Sequence, residues 1–133
     1  LYNAMAEQIK VLGLKDTVYL SGWQDDPDSI LAACDIYVST SRWEGMPYSI
    51  LEAFAMEKPV TATDVDGNRD LVEHNKNGLL VQEENVTGFV RAIKELAENS
   101  ALRNTLTENA LRKFHERYTI GNIIRQVEDW YLA

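Results

Sequence analysis

Apolar positions recur along this chain with two periods, and the alternation between them predicts an α/β fold. Leu1, Met5, Ile9 and Leu12 stand at helical spacing, predicting an amphipathic helix already in progress at the first residue and ended by Gly13. Residues 17–21 read as a short buried strand closed by Gly22. The run Asp25-Asp26-Pro27-Asp28 is a turn and helix-start signal, followed by a short helix over 29–34. Short apolar runs at 36–40, 60–63 and 79–81 predict three more strands. Between the first two of these, 48–56 predicts a helix that is apolar nearly all round, and such a helix is usually buried. Residues 64–68 read as a tight loop, 69–73 as a helical turn and 74–78 as a connection. From Asn85 onward the chain is helical. One apolar stripe comprises Val86, Phe89, Val90, Ile93 and Leu96, a second Leu102, Leu106, Ala110 and Phe114. A third comprises Ile120, Ile123, Ile124, Val127, Trp130 and Tyr131. All three read as core. No repeat or low-complexity segment interrupts the pattern.

The candidate chemistry lies between the 36–40 and 60–63 strands, in Ser41-Arg-Trp-Glu44-Gly45-Met46-Pro47-Tyr48-Ser49-Ile-Leu-Glu52. Pro47 suits the first turn of a helix, where its missing N–H costs nothing. Glu52 falls inside the helix, and a buried carboxylate needs a partner. Two readings are open. In one, Glu52 is structural, capping a backbone amide or pairing with Arg42, Lys58 or Arg69. In the other, its two oxygens accept hydrogen bonds from the vicinal hydroxyls of a ribose, each charge-assisted bond being worth about 1.5–3 kcal/mol. A strand–loop–helix unit places the helix start at the carboxyl end of the sheet, where ligands bind. The free N–H groups of that turn, at Tyr48, Ser49 and Ile50, suit a phosphate. Gly45 lets the loop approach a ligand closely, and Glu44 is placed for a second polyol.

The segment Glu44-Gly-Met-Pro-Tyr-Ser-Ile-Leu-Glu52-Ala resembles the signature of retaining glycosyltransferases with the GT-B fold, family four, group 1. The resemblance continues through Val18-Tyr-Leu-Ser-Gly22-Trp23-Gln24-Asp-Asp-Pro27, Ile30-Leu-Ala-Ala-Cys-Asp35, Lys58-Pro-Val-Thr-Ala-Thr63, Asp70-Leu-Val and Asn77-Gly-Leu-Leu-Val81. It implies a Rossmann-like three-layer α/β/α domain with a mostly parallel sheet. Residues 1–133 would be one partial C-terminal nucleotide-sugar-binding domain, lacking its first two strands and a preceding acceptor-binding domain. It implies that Glu44, as the catalytic residue, bonds donor-sugar hydroxyls and that Glu52 bonds the ribose. Amides of the Gly45–Ser49 segment, from Met46, Tyr48 and Ser49, would hold the diphosphate or sugar, and the loop at Trp23 and Gln24 would contact the base. Many family members carry glycine where Asp66 stands, so loop geometry there is an open point.

The implied activity is sugar transfer, with retention, from a nucleotide-diphosphate sugar to a glycan or lipid-linked acceptor, in polysaccharide or cell-surface glycan biosynthesis. A UDP-sugar is the expected donor substrate; no cofactor or metal is expected. The missing strands would carry an arginine and a lysine that neutralise the leaving diphosphate, so the chain alone is expected to be inactive. Without them, the 17–21 strand is expected either to re-pair with the 36–40 strand or to exchange with a second molecule. The last helix would pack back across the interdomain cleft. Two other functions stay open. One is an inactive nucleotide-binding or assembly module left from such an enzyme. The other is a glycosidase using Glu44 and Glu52 as acid and base.

Composition narrows the classes. The 133 residues suffice for one domain, and a net charge of −8 argues against general nucleic-acid binding without forbidding a phosphate site made of amides. Cys34 is the single cysteine, so no intramolecular disulfide forms; it reads as a buried, inert thiol on a helix face. His74 reads as solvent-exposed, and neither it nor His115 has a Ser or Cys partner in sequence, so no nucleophilic triad is suggested. No apolar run approaches the roughly 20 residues a membrane span needs. The expected location is the cytoplasm, with peripheral contact at the inner face of the membrane left open.

Overall fold

A computed structural model describes residues 1–132. The elements follow in the order α1 (Tyr2–Val11), α2 (Pro27–Ala33), β1 (Tyr37–Ser39), α3 (Tyr48–Ala55), β2 (Val60–Thr63), α4 (Asp66–Leu71), β3 (Leu79–Val81), α5 (Val86–Glu98), α6 (Ser100–Arg117) and α7 (Ile120–Leu132). The sheet is parallel, in the order β1-β2-β3, with Ser39 opposite Ala62 and Ala62 opposite Leu80. Every residue of the central strand β2 is buried. Because strand side chains alternate, Tyr37, Val60, Ala62 and Leu80 pack with Ile50, Ala53 and Phe54 of α3. Leu79 and Val81 pack on the other face with Ala92 and Leu96 of α5. α6 joins both clusters, through Ala110 and Phe114 on one side and Leu102 and Leu106 on the other. The result is the three-layer α/β/α arrangement expected.

Most element ends have the cause the sequence suggested. α1 closes in a Schellman turn: Gly13 takes φ +68° and its N–H bonds Lys10 O at 3.1 Å, while the Leu14 N–H bonds Ile9 O at 2.9 Å. Asp26 caps α2 by accepting the Ser29 N–H at 3.1 Å, and Asn85 caps α5 by accepting the Gly88 N–H at 2.9 Å.

Five expectations are corrected. Residues 17–21 form no strand. A strand exists through its ladder bonds, and among the described residues β1 pairs only with β2, so nothing is offered to 17–21 and no re-pairing with β1 occurs. Tyr19 is accordingly 79% exposed. Pro47 is not inside α3 but its N-cap, with ψ at 97°, closing the first turn through its carbonyl, which accepts the Ile50 N–H at 3.1 Å. The expected loop at 64–68 is largely the first turn of α4, shifting the helix ahead of the 69–73 prediction. Cys34 terminates α2 rather than sitting on its face, and is half-buried. Finally, two of the stripes read as core are not: α7 buries no residue, and Val86 and Val90 of α5 are exposed, as is most of α1. No described element covers those faces.

Candidate functional site

The loop from β1 to α3 ends at the carboxyl edge of the sheet, and α3 carries two different faces away from it. Ile50, Leu51, Ala53 and Phe54 fill the core, with Phe54 fully buried. Tyr48, Glu52 and Ala55, spaced by four and three residues, share the opposite face and are exposed. α3 is therefore not buried all round, and Glu52 is not the buried carboxylate its apolar neighbours suggested. Sequence alone sets the period of a helix; which stripe meets open space depends on packing with distant elements.

That exposed face forms one wall of a groove of about 870 Å³. Met46, Tyr48, Leu51, Glu52 and Ala55 line it from the α3 side. Phe114, Arg117 and Tyr118 come from the end of α6, and Ile120, Ile123 and Gln126 from α7. Arg117 is the single lysine or arginine among these residues. The α6–α7 wall was missed in sequence because its apolar residues Phe114, Ile120 and Ile123 belong to stripes that read as core. The one available signal was the break at Tyr118-Thr119, which turns α7 back.

In the structural reading Glu52 caps a backbone amide or pairs with Arg42, Lys58 or Arg69; no described amide donates to its side chain, and each basic candidate is engaged elsewhere. Arg42 faces Glu83 and Glu84 at 4.0 and 3.7 Å. Lys58 donates to the Ala32 carbonyl at 2.7 Å. Arg69 donates to Asp64 at 2.6 Å and Asp66 at 2.8 Å. Among the described residues Glu52 has neither an ion pair nor a side-chain hydrogen bond. Its carboxylate faces solvent at the groove, available to a ligand.

The amide cradle is smaller than expected. The Ile50 N–H is bonded to Pro47 O, which leaves the amides of Tyr48 and Ser49, with that of Met46 in the loop before them. The Ser49 hydroxyl accepts from Tyr37 Oη at 2.8 Å, which fixes the first turn of α3 to β1. Glu44 is half-buried in the loop and Gly45 is exposed beside it. Trp23 and Gln24 do not line the groove. Trp23 is 90% exposed and donates Nε1 to Asp25 at 3.2 Å, while Gln24 donates Nε2 to Ser21 O at 2.6 Å.

Beside this loop, at the end of β2, Asp64 accepts from Arg69 and Gln82. The Arg69 hydrogen bond holds the Asp64 carboxyl below the usual aspartate range, against an opposing effect of burial, and Asp64 in turn raises Arg69. Asp66 starts α4 and pairs with Arg69 in solvent. His74 is exposed and accepts the Leu80 N–H at Nδ1, 3.0 Å. Among the described residues no three His, Cys, Asp or Glu side chains converge as metal ligands.

In a parallel α/β domain, ligands bind in the crevice at the carboxyl edge of the sheet, where this helix start lies. The family model described as "Glycosyl transferases group 1" matches residues 2–113, and the chain belongs to that family. It is 31% identical over 121 residues to the UDP-Gal:alpha-D-GlcNAc-diphosphoundecaprenol alpha-1,3-galactosyltransferase of Escherichia coli, covering 91% of this chain and 31% of the relative. It is 35% identical over 122 residues to the lipopolysaccharide core biosynthesis glycosyltransferase LpsE of Rhizobium meliloti, covering 91% and 34%. Among solved structures, Anabaena HepE in complex with UDP superposes with a TM-score of 0.92 at 29% identity, covering 98% of this chain and 36% of HepE. The fold is also that of the C-terminal domain of a group 1 glycosyl transferase, LpcC, of Francisella tularensis, with a TM-score of 0.74. The chain thus spans about a third of the length of the curated relatives it matches.

Proposed function

We propose that this chain is the donor-binding portion of a longer, retaining glycosyltransferase that moves a sugar from a UDP-sugar to a glycan or lipid-linked acceptor at the inner face of a membrane. The observation that carries the reading is Glu52: an exposed carboxylate on the groove wall with no ion pair or side-chain hydrogen bond among the described residues, while Arg42, Lys58 and Arg69 are engaged elsewhere. Its two oxygens take the ribose hydroxyls. The amides of Met46, Tyr48 and Ser49 take the diphosphate or the adjoining sugar, aided by the partial positive charge of the helix start. Gly45 permits close approach, and Glu44 bonds hydroxyls of the donor sugar as the catalytic-side acid. The base falls to the loop at Trp23 and Gln24, which stands outside the groove, by the family resemblance alone. HepE, solved with UDP and with UDP-glucose, supports the choice of nucleotide.

The acceptor site belongs to the remainder of the enzyme, and no resident metal or cofactor is part of the reading. Arg117 is the groove's one cation, and one exposed guanidinium is a thin counter-charge for a departing diphosphate. This favours a chain that binds nucleotide but does not transfer sugar alone. No helix among the described residues is long and apolar enough to cross a membrane. The test is mass spectrometry of the longer enzyme with UDP-sugars and acceptors, with and without chelator. Metal-independent transfer supports the reading. Release of free sugar without an acceptor product contradicts it and favours a hydrolase.

A further inference from the structure

The first turn of α4 leaves no room for a side chain at Gly67. A Cβ there would lie 2.4 Å from the Glu44 carbonyl oxygen and 2.5 Å from that of Gly45. Both neighbours are backbone atoms, so neither can swing aside as a side chain would. The turn is itself anchored. Asn68, fully buried, donates Nδ2 to Thr63 O at 2.8 Å, and the Val65 N–H bonds the same carbonyl at 2.9 Å. Arg69 ties Asp66 of that turn to Asp64 at the end of β2. The Glu44–Gly45 backbone therefore rests on a glycine that is stitched to the central strand.

We infer that Gly67, held in place by Asn68, is a positioning residue that sets where the Glu44 carboxylate meets the donor sugar. The inference rests on the donor-site reading above. Glu52 needs no such support, because it rides on a helix locked into the core. Glu44 sits on a loop, and among the described residues its side chain has no hydrogen bond of its own, so the backbone contact is what fixes its height. Restoring an ordinary contact around an added methyl would move the loop by about 1 Å. A displacement of that size at a reacting group costs up to about 100-fold in rate. Nucleotide affinity, carried mainly by Glu52 and the Tyr48 and Ser49 amides of α3, would change far less, the moved loop contributing only the Met46 amide.

The experiment uses Gly67→Ala and Asn68→Ala in the longer enzyme, with calorimetry of UDP, steady-state transfer kinetics and thermal melting. Gly67→Ala is expected to keep UDP affinity within about twofold while kcat falls about 10- to 100-fold. Asn68→Ala is expected to give the same split in weaker form, and it carries the test if Gly67→Ala does not fold. Equal losses of UDP affinity and kcat, or an unchanged kcat in a folded variant, would overturn the positioning role. Failure of the unaltered enzyme to bind UDP is a separate result: it would overturn the donor-site reading, and the inference with it.

Discussion

Tyr37 and Ser49 are joined by a hydroxyl–hydroxyl hydrogen bond of 2.8 Å that links the middle layer of the fold to the first turn of α3. The bond spans twelve residues of sequence and is part-buried. It holds the Tyr48 and Ser49 amides still relative to the sheet before any ligand arrives, and preorganised donors need no further ordering when charge meets them.

Removing that bond tests how far the helix start depends on it. Tyr37→Phe keeps the ring in the core and deletes the donor, while the half-buried Ser49 hydroxyl can turn to water. The unfolding free energy is expected to fall by about 0.5–1.5 kcal/mol. The check is a denaturant titration in which the midpoint moves and the slope does not.

Glu44 and Glu52 should separate kinetically. Glu44→Ala is expected to leave UDP affinity near that of the unaltered enzyme and to lower kcat for sugar transfer by about 10- to 150-fold, the worth of one charge-assisted bond. Calorimetry of UDP beside transfer kinetics reads both quantities. A variant that loses UDP affinity instead would move Glu44 into the nucleotide site.

Acid stability follows from two carboxyl groups. Arg69 holds Asp64 below the usual aspartate range, and Lys76 together with Lys113 does the same for Glu73. A carboxyl whose folded pKa is depressed adds stability that is fully present above its unfolded pKa, near 4, and that is lost as pH falls through the folded value. Stability should therefore drop between about pH 5 and about pH 2. In Asp64→Asn and Glu73→Gln the drop should be smaller, since an amide takes up no proton. Urea titrations across that range would show it.

Glu57 offers a gain rather than a loss. It follows α3 at φ +55° and closes the helix, its N–H bonding Phe54 O at 3.1 Å while the Lys58 N–H bonds Ala53 O at 2.8 Å. The left-handed region costs an L-residue roughly 1–2 kcal/mol, and glycine avoids it at some cost in unfolded-state entropy. Glu57→Gly is expected to stabilise the chain by about 0.5–1 kcal/mol, seen as a higher melting temperature.

Local chemistry was legible where its causes are local. Gly13, Asp26 and Asn85 end or begin their helices as their types dictate, and the three parallel strands lie where the short apolar runs fell. What sequence misplaced depends on neighbours. Residues 17–21 have a strand's composition, but a ladder needs a second strand. Glu52 reads as buried from the residues on either side of it, yet α6 and α7 leave its face of α3 open as a groove. The contact of Gly67 with the Glu44 carbonyl joins loops from two different strands, and no spacing rule reports it.

The most direct measurement is a calorimetric titration of UDP into the longer enzyme and its Glu52→Ala variant. An unpaired carboxylate that clasps the ribose predicts a loss of affinity of about 10- to 150-fold, or about 1.5–3 kcal/mol. Equal affinity in the two proteins would contradict the account, because the open acid on the groove wall would then have no part in holding the nucleotide.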